Sequence, residues 1–431
     1  MRRVGLSLCI AALLTTTVQA AHAADLSSEG AEVHFSGSSP AGHTLAVFAR
    51  PVQRADGTAS LDVLARRVGS DGRPVGSKVL LGQDAVPGPN LVGEALAVAY
   101  DARRGRWLVA WSGREPGMPE LDCSGPARQA PVPAPACRQA KREIFVRVVD
   151  RTGRAAGPAR KVTATGADDD VYAVGAVPAL AYDRRTDRFL VVSIAVRLRE
   201  SGNALVARSL RPDGTPAGAP RSLPAGGSSR SAAAETRVVS DPSGGFLLAY
   251  IAGGEMFDDR ELYTRALTAD GDPEGEPAVV SQPGRPGVGG LQMAGDGRDV
   301  LAVWAEAPPG GSSGWRARRL AASGVPRGEA VSLSFTVGTG RVAVAAFGTG
   351  WVYAFTAERP RGGHAVLVRR AQPDGSAVGA SRVVSEDDAV SPGVTDAGRG
   401  RALVGWTHMP VSRETSAPPP PARPRVGLIR P

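Results

Sequence analysis

Three features of the sequence predict an all-β fold, a seven-bladed β-propeller of four-stranded antiparallel blades: a recurring apolar strand core, a tight turn repeated at a fixed place after it, and no helical periodicity past the N-terminus. The core occurs seven times, as TLAVF ending at Phe48, WLVAW at Trp111, FLVVS at Ser193, FLLAY at Tyr250, VLAVW at Trp304, WVYAF at Phe355 and ALVGW at Trp406, with an aromatic at six of the seven ends. These ends lie 63, 82, 57, 54, 51 and 51 residues apart, and a period near 50 residues suits one four-stranded blade. The turn recurs as Asp71-Gly72, Thr152-Gly153, Asp213-Gly214, Asp270-Gly271, Ser323-Gly324 and Asp374-Gly375.

From the N-terminus, the first element expected is a secretory signal peptide over residues 1–23. Arg2 and Arg3 precede an apolar run from Leu6 to Leu14, and Ala21-His22-Ala23 offers small residues for cleavage before Ala24. The residues after the arginine pair do not follow the twin-arginine pattern, and Cys9 sits inside the apolar run, too early for lipid attachment. A secreted destination is expected: periplasm, cell wall or medium. Residues 24–431 then form a single propeller domain. Its two remaining cysteines, Cys123 and Cys137, are expected to form a disulfide across DCSGPARQAPVPAPAC, stapling an insertion at 112–143 in the second blade. A closed loop of about 15 residues is worth roughly 3 kcal/mol in the chain-entropy description.

The unit from Val177 to Leu223 shows the strand order. PALAY leads to Asp183, FLVVS follows, ALVARSL begins at Ala204, and a fourth strand follows Asp213-Gly214, whose glycine supplies the positive φ of a tight hairpin. In WLVAW both alternating faces are apolar, Trp107, Val109 and Trp111 on one and Leu108 and Ala110 on the other. A sheet with one wet face does not read this way, whereas a blade packed by a neighbour on each side does. In the seventh unit a Pro-rich segment at 410–424 precedes the third strand, RVGLIR, and the chain ends before a fourth. Asp25 to Ser28 is expected to supply that strand and close the ring, because closure removes exposed edges. The PALAYD, FLVVS, ALVARSL and DG segments together resemble the repeat of exported bacterial β-propeller proteins, and the resemblance extends over residues 24–431. It implies the fold; such propellers host binding, scaffolding and hydrolytic roles alike.

Net charge is +9, from 51 Lys+Arg against 42 Asp+Glu, and lysine occurs only at 78, 141 and 161. The arginines are spread through every repeat, without the aromatic interleaving of a single-strand binder, which argues against nucleic acid. No apolar segment after the leader is long enough for a membrane span. Gly310-Gly311-Ser312-Ser313-Gly314 matches G-x-S-x-G but lies between two strands, not at the strand-to-helix turn that exposes a nucleophile. His34, His43, His364 and His408 show no metal-ligand spacing, and Asp270-Gly271-Asp272 is too short for a calcium loop and is broken by Pro273. No cofactor or metal is expected.

Aspartates ending the first strand (Asp101, Asp183, Asp241, Asp296, Asp396) and arginines near the end of the third (Arg66, Arg147, Arg208, Arg265, Arg318, Arg369) recur in most blades, so they read as scaffold, since an active site occurs once. The asymmetry lies in the connections. Those joining strands one to two and three to four are short, while those joining two to three, and blade to blade, are long and varied, which makes their face the expected recognition face. Candidate ligand-binding residues there are Asp168, Asp169, Asp170 and Tyr172; Glu255, Phe257, Asp258 and Asp259; and Glu386, Asp387 and Asp388. Glu94, Glu235, Arg237 and Gln292 are candidates to line the central channel. The expected role is a non-catalytic binding or scaffold module, monomeric, with a protein or carbohydrate ligand. The alternative is a glycoside-active hydrolase or lyase, which in its hydrolytic form needs carboxylates within about 10 Å of one another.

Overall fold

The computed structural model describes residues 24–25, 31–35, 43–53, 59–85, 96–114, 142–165, 173–197, 203–224, 232–253, 260–282, 287–306, 314–336, 341–359, 362–385, 388–408 and 423–431. Their strands form a seven-bladed propeller of antiparallel four-stranded sheets. Blade one holds β2 (Ala31–Phe35), β3 (Thr44–Gln53), β4 (Ala59–Val68) and β5 (Pro74–Ala85), after β1 (Ala24–Asp25). Blade two holds β6 (Leu96–Asp101), β7 (Arg106–Arg114), β8 (Arg142–Val149) and β9 (Ala155–Lys161). Blade three holds β10 (Ala173–Asp183), β11 (Arg188–Arg197), β12 (Asn203–Leu210) and β13 (Arg221–Leu223). Blade four holds β14 (Ala232–Ser240), β15 (Phe246–Gly253), β16 (Glu261–Leu267) and β17 (Pro273–Val279). Blade five holds β18 (Val288–Gly295), β19 (Val300–Glu306), β20 (Gly314–Leu320) and β21 (Pro326–Thr336). Blade six holds β22 (Val342–Phe347), β23 (Gly350–Glu358), β24 (His364–Ala371) and β25 (Ala377–Ser385). Blade seven holds β26 (Ala389–Gly398), β27 (Arg401–His408) and β28 (Arg423–Ile429).

The double-sided apolar strands explain where the core lies. Among the described residues the buried side chains form seven clusters, each shared by two adjacent blades. Trp107, Val109 and Trp111 of β7 join the cluster with blade one, while Leu108 and Ala110 join the one with blade three. β15 divides the same way: Phe246, Leu248 and Tyr250 face blade three, and Leu247, Ala249 and Ile251 face blade five. The closing aromatics Phe48, Trp111, Tyr250, Trp304, Phe355 and Trp406 all turn toward the preceding blade. Burying such a side chain stabilises by about 1.5–3 kcal/mol, so the sequence repeat is a repeat of seams.

The seam between blades seven and one closes the ring, with Ala46, Phe48 and Leu64 packed against Ala397, Leu403 and Val426. β1 adds to it as the outer strand of blade seven, antiparallel to β28, with Ala24 opposite Val426 and Asp25 opposite Arg425. The described pairing starts one residue before the expected Asp25–Ser28, and Leu26 to Ser28 lie outside the described residues. The tight turns adopt the expected geometry, with φ from 78° at Gly72 to 91° at Gly375. They also lean on the previous blade: a Cβ added at Gly271 would sit 3.1 Å from Leu190 Cδ1 and 3.2 Å from Ala207 Cβ. Blade three departs from the pattern: Leu210 bridges to Pro216 directly after the turn, but the continuous strand β13 begins only at Arg221, seven residues after Gly214, and has only 3 residues. Pro220 falls just before it and has no N–H to donate to a ladder, whereas Pro216 takes the place of Pro74, Pro273 and Pro326, which begin the outer strands of their own blades. At the insertion and the Pro-rich segment, strand reaches further than the assigned bounds: Ser112 to Arg114 finish β7, Arg142 and Glu143 begin β8, and Arg423 and Pro424 begin β28. Cys123 and Cys137 lie outside the described residues.

Candidate functional site

The recurrent polar residues hold the scaffold together at the short-connection face. Asp101 Oδ1 accepts the backbone N–H of Arg103 (3.0 Å) and Arg104 (3.1 Å), and Asp183, Asp241, Asp296 and Asp396 cap their own turns by accepting N–H groups of Arg185, Ser243, Arg298 and Gly398. The third-strand arginines reach the outer strand ten residues on: Nε of Arg66, Arg147, Arg265 and Arg318 donates to the carbonyl of Gly76 (3.1 Å), Gly157 (2.9 Å), Gly275 (3.1 Å) and Gly328 (2.9 Å). Those four glycines have φ of 66–75°, where a side chain is strained. A second guanidinium nitrogen of Arg147, Arg208 and Arg318 crosses the seam to Leu81 O (2.9 Å), Val162 O (2.7 Å) and Val280 O (2.9 Å) of the preceding blade. These arginines staple blades.

The channel candidates are positioned by bulges in the innermost strands. β10, β14, β18 and β26 each shift register near the long-connection end, between Ala176 and Ala179, Ala233 and Glu235, Gly289 and Gln292, and Val390 and Gly393. Three bulge residues have positive φ: Val177 (49°), Gly290 (68°) and Ser391 (53°). Val177 is β-branched and unfavourable there; its carbonyl accepts a hydrogen bond from Thr236 Oγ1 (3.0 Å), which ties it to blade four. Glu235 spans to blade five, its two oxygens accepting the N–H of Gly290 (2.9 Å) and Leu291 (2.7 Å). Both oxygens thus hold main chain. Gln292 and Arg237 are half-buried on the same inner strands, and Arg237 donates to Thr236 O at 2.7 Å. Glu94 lies outside the described residues.

On the long-connection face, Asp168, Asp169, Asp170, Tyr172, Glu255, Phe257, Asp258, Asp259, Glu386 and Asp387 also lie outside the described residues. Asp388 is described, at the entry to β26, and it is paired with His364 at the start of β24. Its Oδ1 accepts the backbone N–H of His364 at 2.8 Å and stands 3.4 Å from the Nδ1 of the same residue. Both side chains are partly open, 19% and 29% exposed. The intervening Gly363 has φ +77°, and a Cβ there would lie 2.7 Å from an Arg359 guanidinium nitrogen and 3.3 Å from Asp388 Oδ1. Arg359, His364 and Asp388 are therefore gathered around a glycine that keeps the space between them open.

Other polar residues at this end, which the repeat gave no reason to single out, are engaged beneath the surface. Buried Glu143 accepts from Thr163 Oγ1 (2.5 Å) and from Thr165 N (2.9 Å), Asp62 binds Arg50 (2.5 Å), and Glu306 binds Arg316 (3.1 Å). Burial pushes the Arg142 guanidinium down to about 10, and the charge of Arg114 adds to this. Glu143, Asp62 and Glu306 thus each have a local partner, and no group of three or more His, Cys, Asp or Glu suited to a metal is found among the described residues. No helix among the described residues is long and apolar enough to cross a membrane.

No protein-family model and no characterised protein sequence matches the chain. Solved structures do. A polysaccharide lyase, Uly1, superposes with a TM-score of 0.56 over 96% of this chain and 99% of that one at 10% identity. The α-L-arabinofuranosidase Arb93A from Fusarium graminearum superposes with a TM-score of 0.50 over 80% of this chain and 96% of that one at 12% identity. The likeness, end to end in the first case, is one of fold.

Proposed function

We propose that this chain is an exported, carbohydrate-active β-propeller that takes a polysaccharide across its long-connection face, with His364 as the proton-transferring group and Asp388 as the residue that orients it. The glycoside class enters from the named activities of the two propellers above. The observation in this chain that carries the reading is the His364–Asp388 pair on the face where the long connections gather. An imidazole can accept and return a proton within one reaction, and a carboxylate at its Nδ1 favours the tautomer in which Nε2 serves as base. With both Glu235 oxygens held by main chain, the described residues support a histidine-based reaction, such as elimination, better than cleavage by two carboxylates.

A second reading, binding without cleavage, is favoured by the local partners of Glu143, Glu235, Glu306 and Asp62. One experiment separates the two. The protein is incubated with uronate-containing and neutral polysaccharides, product is followed by new reducing ends and by the ultraviolet absorbance of an unsaturated sugar, and retention is followed by affinity electrophoresis. The expected result is product from at least one polysaccharide, lowered at least about a hundredfold in kcat by His364→Gln without a change in melting temperature. Retention without product supports the binding reading; neither retention nor product rejects both.

A further inference from the structure

Charge is distributed unevenly around the ring. Among the residues whose side chains are described, blades seven, one, two and three expose fifteen Lys and Arg against two Asp, whereas blades four, five and six expose four against seven Asp and Glu. The excess is densest at the short-connection face of blades two and three, in the turns DARRGR (101–106), DRTGR (150–154) and DRRTDR (183–188). Each turn spends its leading aspartate internally. Asp101 accepts the N–H of Arg103 and Arg104, Asp150 that of Thr152 (2.8 Å) and Arg154 (3.0 Å), and Asp183 that of Arg185 (2.8 Å). The arginines that follow point outward: Arg103, Arg104, Arg151, Arg154, Arg184 and Arg185 are all exposed. The three turns also adjoin one another. Arg103 Nη2 donates to Arg185 O at 3.3 Å across the seam, and a Cβ at Gly105 would lie 3.9 Å from Arg151 Cβ.

We propose that the short-connection face of blades two and three seats the protein on an anionic phospholipid surface, its arginines against the headgroup phosphates and the long-connection face turned away. The partner follows from how the charge is laid out. The arginines sit on turns of neighbouring blades at one end of the ring, a broad array that matches a surface of many phosphates, and guanidinium groups bind phosphate by paired, charge-assisted hydrogen bonds. None of the three turns contains an aromatic residue, so the stacking that holds a single-stranded nucleic acid has nothing to rest on. The exposed large apolar side chains among the described residues are Leu80, Val279, Val325, Val378 and Val383, none of them in these turns, so contact is made at headgroup level without insertion. Each cation held near an anionic leaflet raises partitioning about fivefold, and the effect reaches only about a Debye length, so it weakens with salt. The acidic blades four to six confine the contact to one side of the ring. This inference is independent of the carbohydrate reading.

Co-sedimentation of the purified protein with vesicles of phosphatidylcholine, with and without phosphatidylglycerol, tests the proposal. Binding is expected to be at least about tenfold tighter when phosphatidylglycerol is present, and to be lost in about 0.5 M salt. The combined variant Arg151→Gln, Arg154→Gln, Arg184→Gln is expected to bind those vesicles at least about tenfold more weakly with its melting temperature unchanged. The combined variant Arg298→Gln, Arg370→Gln, Arg382→Gln removes the same charge from blades five and six and is expected to bind within about twofold of the parent. On the vesicles, amide exchange is expected to slow in 101–106, 150–154 and 183–188. Equal binding to both kinds of vesicle, or equal weakening by the two combined variants, would overturn the proposal. So would retention on soluble polyphosphate with none on vesicles.

Discussion

Asp187, at the short-connection face, shows what a single residue contributes to the ring. It has φ 58° and receives both guanidinium nitrogens of Arg104 from blade two, each at 2.6 Å, together with the Tyr182 hydroxyl at 2.8 Å. The hydrogen bonds from Arg104 hold its carboxyl down at about 2, against the effect of burial and with help from Tyr182. A carboxyl depressed in the folded state contributes stability that is fully present above the unfolded value near 4 and is lost as pH falls through about 2. Asp187→Asn is therefore expected to cost roughly 1 kcal/mol at neutral pH, discounted for the exposure of Arg104, and to flatten the loss of melting temperature between pH 4 and pH 2. Melting curves of both proteins across that range check this, and parallel curves would contradict it. At this scale the sequence is readable only where a residue repeats. The turn-capping aspartates were legible because they recur, whereas Asp388 was marked by its acidic neighbours and its partner His364, 24 residues earlier, meets it only through the order of strands. Glu235 was placed on an inner strand, but its partners are main-chain N–H groups, which no side-chain pattern announces.

Among the elements, the arginine staple joins the third strand to its own outer strand and to the preceding blade. Arg147 donates to Gly157 O and Leu81 O, both at 2.9 Å, and hydrogen bonds from a charged donor contribute about 1.5–3 kcal/mol. Arg147→Ala is expected to destabilise by about 2 kcal/mol, and Arg147→Lys to recover less than half, because an ammonium cannot reproduce the planar fork. The urea midpoint of each variant measures this; a lysine variant as stable as the parent would show that charge alone matters. Arginine and glycine ten residues apart are both visible in the sequence, but their hydrogen bond is not, since it needs the hairpin to bring them together. The short β13 was hidden for the opposite reason. The turn before it follows the repeat, and the proline at 220 interrupts the strand that the turn alone predicts.

The whole molecule is a ring of seven seams, and the period of the strand core was enough to count them. That period follows from packing, because each blade needs apolar residues on both faces to meet its neighbours, as the division of Trp107, Leu108, Val109, Ala110 and Trp111 between two seams demonstrates. Function obeys no such repetition. In the proposed reading the connections that differ from blade to blade carry it, free of the constraint that made the fold readable. The proposed function names a polysaccharide as the ligand to test, and the His364–Asp388 pair as the place. The most direct test of the central claim is amide hydrogen exchange with and without a polysaccharide retained by the protein. Protection concentrated in the connections between β9 and β10, β15 and β16, β23 and β24, and β25 and β26 is the predicted result. Protection at the short turns around Arg104 and Asp187, or none on the long-connection face, would contradict it.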